Sequence, residues 1–167
     1  MKVTLNMMSL SGVQYSWATI YTALINNLME NTEVEIYAIE LMESDDYKEN
    51  DFINNLAWGG LKKEEIISSI ITEKLIPDLE LFEEIELKKI RYAILFYLKE
   101  EYKNSKEYLL KKIAEVYADF NYPIEMNDFI YYMPNDKAAT FNNQEDAENN
   151  LLSNFYQYLE DLQKSFK

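Results

Sequence analysis

A chain of 167 residues with 30 acids, 16 bases, no cysteine and no histidine excludes several chemistries at once. Without Cys there is no disulfide, thiolate metal site or cysteine nucleophile, and without His the commonest general base and metal ligand is gone, with every Ser-His or Cys-His arrangement. A net charge of −14 opposes nucleic-acid phosphates and anionic membrane, because both need Lys and Arg.

The length suits a single domain, residues 1–167. Hydrophobic residues make up 48% of the chain, enough for a core, while only 3 Gly and 3 Pro leave little punctuation for multi-stranded barrels. The expectation is an all-α fold, an irregular bundle of six to seven helices.

In residues 1–12, Val3, Leu5 and Met7 alternate, which allows a short N-terminal strand. Beyond Gly12, the stripe Val13, Trp17, Ile20, Tyr21, Leu24 and Leu28 predicts a first helix over about 13–29, with Trp17 in the core. Thr32 and Glu35 form a Thr-x-x-Glu capping box for a second helix carrying Val34, Tyr37, Ile39, Leu41 and Met42. A strand is the rival reading from Glu33 to Leu41. Residues Glu43 to Asp51 are polar and acidic, an exposed loop or helix start. They lack the alternating oxygen ligands, the glycine bend and the closing Glu of a calcium loop, so no metal site is expected.

Phe52, Ile53, Leu56, Ala57 and Trp58 predict a short helix stopped by Gly59-Gly60. The next helix covers about 62–75, with Ile66, Ile67, Ile70, Ile71 and Leu75 inward, until Pro77 breaks it. Asp78 caps a long helix over about 79–103, buried along one side by Leu79, Phe82, Ile85, Ile90, Ile94, Tyr97 and Leu98. That helix is the expected central organiser. Ser105 caps a helix over about 106–121, which Pro123 ends. One or two turns follow from Met126 to Tyr132, then Pro134 and a polar loop over 135–143. A last helix over about 144–165 carries Leu151, Leu152, Phe155, Leu159 and Leu162. The aromatic run at Tyr117, Phe120, Tyr122 and Tyr132 should be substantially buried, since rings at this density are costly to leave in water.

No constellation of catalytic type emerges. The pairs Glu64-Glu65, Glu83-Glu84 and Glu100-Glu101 point about 100° apart on a helix, so they form no shared-site dyad, and a di-metal bundle would want Glu-x-x-His motifs. Gly59-Gly60 with Lys62-Lys63 lacks the spacing and the Ser/Thr of a phosphate loop. The expectation is a non-enzyme with no cofactor. Fourteen tyrosines are good protein-contact material where they reach the surface.

Four motifs carry a resemblance: Arg91-Tyr92-Ala93, the run from Ile113 to Phe120, Tyr122-Pro123 with Met126, and Tyr132-Met133-Pro134. Over residues 85–135 the chain resembles the C-terminal half of bacterial domain-of-unknown-function family 2247. The resemblance implies a small, single-domain, cytoplasmic bacterial protein. Proteins of this kind often act as immunity proteins beside polymorphic toxins, including contact-dependent growth-inhibition systems.

The functional expectation is therefore an immunity protein that binds and neutralises a cognate toxin domain, with a basic nuclease as the type its charge suits. The contact residues expected are Glu43, Asp45, Asp46, Tyr47, Glu49 and Asp51, chosen for charge density and exposure. The alternative is an adaptor or structural module with no toxin; an enzyme using carboxylates alone ranks third. A short first segment with one base lacks the long apolar core of a secretory signal, and no run approaches 18 apolar residues. The expected location is the cytoplasm, with neither nucleic acid nor membrane as partner.

Overall fold

A computed structural model describes residues 1–45, 47–76, 82–133 and 143–166. Among the described residues there are eight α-helices, one 3-10 helix and no strand. Two compact units emerge, one of Lys2–Ile90 and one of Arg91–Lys167 with Met1.

In the first unit, the segment open to a strand reading is a helix, α1 (Leu5–Ser11). Thr4 caps it, its Oγ1 accepting from the Met7 amide at 3.2 Å, and Gly12 ends it in the left-handed region at φ 72°. Leu5 and Met8, and Met7 and Ser11, are helical neighbours and all four are buried. The alternation of Val3, Leu5 and Met7 fits a strand equally well, but the capping Thr and closing Gly settle the matter for helix. Helix α2 (Trp17–Ile25) begins later than predicted because Ser16 caps it: Ser16 Oγ accepts from the Ala18 amide, and Thr19 Oγ1 accepts from the Ser16 amide. Seven of its nine residues are buried, so α2 has no solvated face and is an interior helix. Trp17 lies in the core as expected, edge-on to Tyr37.

Helix α3 (Asn31–Met42) packs along α4 (Asp51–Trp58). The predicted Thr32 capping box does not form. The helix starts two residues earlier, with Glu30 at the cap and no side-chain cap bond. The carboxylate meant for the box is elsewhere, because Glu35 lies against Gly59, where an added Cβ would come within 3.1 Å of its Oε1. Helix α5 (Lys63–Thr72) packs on α2. It stops short of the predicted end: Lys74 turns left-handed at φ 53°, and Leu75 bonds back to the Ile70 carbonyl. Ile71, expected inward, is exposed, as is Ile85.

Helix α6 (Glu83–Glu101) starts in the first unit and ends in the second. The predicted cap Asp78 and core residue Leu79 lie outside the described residues. The expectation of one buried side is corrected, since every residue from Ile90 to Leu95 is buried, Arg91 included. Within the first unit α6 meets α2 through a buried acid. Glu86 is 5% exposed; its Oε2 accepts from Thr19 Oγ1 at 2.6 Å and its Oε1 from Lys89 Nζ at 2.7 Å. Both oxygens are thus satisfied, as burying a charge requires.

The second unit holds α7 (Lys106–Asp119), the 3-10 helix Ile124–Phe129 and α8 (Gln144–Ser165). Asn143 caps α8 through Oδ1 and the Asp146 amide. Phe129 and Phe155 are fully buried with ring centres 5.7 Å apart, and Tyr158 lies 5.0 Å from Phe129. Arg91, 5% exposed, donates to Glu125 Oε1 at 2.6 Å, and its guanidinium sits over the Phe120 ring. Of the aromatic run, only Tyr117 is buried. Phe120 is half-buried, and Tyr122 and Tyr132 are exposed. They pack as a surface cluster on Tyr117, ring centres 5.2 and 6.4 Å away, while the Tyr117 hydroxyl donates to Asn127 Oδ1. The reason is the turn: Asn121 and Tyr122 are both left-handed at φ 60°, which carries the chain away from the α7 core face. Pro134 and the predicted loop up to Asn142 lie outside the described residues.

Candidate functional site

The acidic excess is local. Between Glu30 and Asp51 the chain carries nine acids and one lysine. Helix α3, the connection after it and the first turn of α4 hold them. Two acids of α3 have partners within the first unit: Glu33 accepts from the Leu5 amide at 2.8 Å, and Glu40 from the Tyr15 hydroxyl at 2.9 Å. Those further along do not. Among the described residues, Glu43, Asp45, Glu49 and Asp51 are exposed and make no ion pair or side-chain hydrogen bond. Asp46 lies outside the described residues.

Their placement has a local cause. Asp51 opens α4, where the helix dipole favours an acid. Asn50 caps that helix, its Oδ1 accepting from the Ile53 amide at 3.1 Å. Glu43 closes α3, where the dipole disfavours a negative charge, and no basic residue stands in the last turn. Tyr47 is half-buried. Its hydroxyl donates to Asn54 Oδ1 at 2.7 Å and accepts from the Asn50 amide at 3.2 Å. It ties the acidic connection to α4, so the acids are held on a braced loop.

The same pair of helices carries a feature the sequence pattern concealed. Trp58, the last residue of α4, is 90% exposed. On the outer side of α3, Ile36, Ile39 and Met42 are also exposed. At about 100° per residue, Ile36, Ile39 and Glu43 fall opposite the buried Val34, Tyr37 and Ala38. Trp58 likewise falls roughly 165° from the mean direction of Phe52, Ile53 and Leu56. That geometry was available in the sequence, but the run Leu56-Ala57-Trp58 reads as core when it is taken only as apolar.

Tyr37, beneath this surface, has its hydroxyl pushed up to about 12, first by burial and then by the neighbouring Tyr15 and Glu40. Among the described residues, no three acids converge into a set that could hold a metal ion, and no helix is long and apolar enough to cross a membrane.

The second unit has an open hollow of about 290 Å³ between α7 and α8, walled by Leu110, Tyr131, Ala147 and Leu151. Its charged rim is internally matched: Lys111 binds Glu107 at 2.7 Å, and Gln144 donates to Glu148 at 2.9 Å. The volume is at the small end for a ligand pocket.

Residues 5–163 match the model of the family DUF2247, described as an uncharacterized protein conserved in bacteria. No curated protein and no solved structure matches the chain.

Proposed function

We propose that the chain, which belongs to the bacterial family DUF2247, is a non-catalytic binding protein of the immunity type that neutralises a basic toxin domain by covering its substrate site. The observation that carries this reading is the set of unpaired, exposed carboxylates at Glu43, Asp45, Glu49 and Asp51. A folded chain that leaves its acids unpaired, one of them against the helix dipole, carries an outward negative field. Such a field speeds the encounter with a positive partner and disfavours negative ones. An inhibitor must outrun its toxin, so a fast encounter is what the role demands. The site is cytoplasmic in this reading, because a toxin that acts on intracellular substrates has to be met there.

The test is co-expression with the C-terminal domain encoded by the reading frame immediately upstream. Wild type should restore growth to cells making that domain. Changing Glu43, Asp45, Glu49 and Asp51 together to Lys should cut the association rate roughly 10- to 100-fold at low salt and weaken protection, with the fold intact. Full protection by this variant would remove the acids from the contact surface. Binding without any rescue of growth would point instead to an adaptor role.

A further inference from the structure

Trp58 is the least explained residue of the molecule. A tryptophan has the largest apolar area of any side chain, and leaving it 90% exposed forgoes the burial that drives folding. Its position is not an accident of a loose end. Gly59 follows at φ 77°, ψ 179°, a conformation reserved for glycine, and the Gly59 backbone is pressed against Glu35. The Gly59 amide bonds the Leu56 carbonyl at 2.9 Å. The chain is thus turned sharply at Trp58 and seated against α3, with the indole carried outside.

The surroundings are consistent. Glu35 places Trp58 beside the first turns of α3, whose outer side presents Ile36 and Ile39, both nearly half exposed. Glu43 lies two turns beyond Ile36 on that side, and the unpaired acids follow. An apolar centre with a charged margin is the anatomy of a protein-contact surface. Energetic hot spots are enriched in Trp and sit inside such a margin.

We infer that Trp58, with Ile36 and Ile39 on the outer side of α3, forms the apolar anchor on which a basic protein partner seats, while Glu43, Asp45, Glu49 and Asp51 steer that partner in. The occupant is a positively charged protein surface with an indole-sized apolar recess. Charge complementarity selects it, because a local excess of nine acids over one lysine between Glu30 and Asp51 repels an acidic partner and a second copy of this chain alike. This inference rests on the binding role proposed above and divides its labour: acids set the association rate, and the indole sets the lifetime of the complex.

That division is measurable with the same upstream-encoded C-terminal domain flowed over immobilised chain. Trp58→Ala should raise the dissociation rate roughly 30-fold or more, the scale of a hot-spot truncation, and leave the slope of association rate against salt unchanged. Trp58→Phe should recover part of the lifetime. In the wild type, the red-shifted, acrylamide-quenched part of the tryptophan emission, absent in Trp58→Phe, should move to the blue and lose its quenching on binding. Trp17 is buried and does not contribute to that change. A wild-type complex whose lifetime and emission are indifferent to position 58 overturns the anchor and leaves the binding role standing. A wild-type chain that does not bind the domain overturns both. If the free chain is a dimer that Trp58→Ala turns into a monomer, the occupant is a second copy and the inference fails.

Discussion

Phe129 and Phe120 stand nine residues apart, and their environments differ in kind. Phe129 is 1% exposed between Phe155 and Tyr158, so Phe129→Ala should cost about 3–5 kcal/mol, as truncation of a well-packed ring does. Phe120 is half-buried under the Arg91 guanidinium, and Phe120→Ala should cost only about 1–2 kcal/mol, part burial and part cation–π contact. Urea unfolding of the two variants in parallel checks the order; equal losses would refute the assignment. Apolar residue type and 3.6-residue period expose Tyr117 as core, but the left-handed pair Asn121 and Tyr122 leaves no such trace, and so the fate of Tyr122 and Tyr132 was not legible. Two tyrosines also set the response to alkali. Tyr37 and Tyr158 are each raised from 10.0 to about 12, in both cases chiefly by burial. The folded chain resists an ionisation that the unfolded chain accepts at pH 10. Their stabilisation is therefore complete below pH 10 and is lost as the pH rises through about 12. Circular dichroism should show alkaline unfolding in that window, and the Tyr37→Phe, Tyr158→Phe pair should push the midpoint upward.

At the scale of elements, capping residues located what periodicity alone blurred. The α8 boundaries follow from Asn143 and the stripe that includes Leu152, Phe155, Leu159 and Leu162, all buried, and they agree with the sequence expectation. Helix α1 was hidden because a seven-residue helix presents too few turns for its period to outweigh an alternation at Val3, Leu5 and Met7. The capping box at Thr32 and Glu35 failed for a tertiary reason, the contact of Glu35 with Gly59, which no local rule can foresee. The same contact makes Gly59 sensitive. Any Cβ there meets a carboxylate at 3.1 Å in a backbone conformation that side chains rarely adopt, so Gly59→Ala should lose about 1–3 kcal/mol. Gly60→Ala, with nothing within 4 Å, pays only its own backbone strain and should lose less. Differential scanning calorimetry of the two variants tests the distinction. The acidic part of the candidate surface was legible because charge density and polarity are properties of composition. Its apolar centre was not, because an exposed tryptophan and a buried one look alike until the helix is turned to see which side it occupies.

At the scale of the whole molecule, a net charge of −14 is not spread evenly. Buried charge occurs where it is matched, at Glu86 and at Arg91 with Glu125, and nine of the 30 acids lie with a single lysine between Glu30 and Asp51. The absence of histidine leaves no side chain of ordinary pKa to titrate between pH 5 and 8, so partner binding should be flat across that range. A pH series of the association rate decides this, and a fall centred near pH 6.5 would contradict it. Helix α6 has a last consequence, for dissection of the gene. The two compact units meet in the chain between Ile90 and Arg91, in the middle of a 19-residue helix and at the start of its wholly buried stretch. A cut there would leave each half with a frayed helix end and unpaired backbone groups. Fragments divided at that bond should therefore fold less well than fragments that keep α6 whole, and a proteolysis time course of the two kinds would show it.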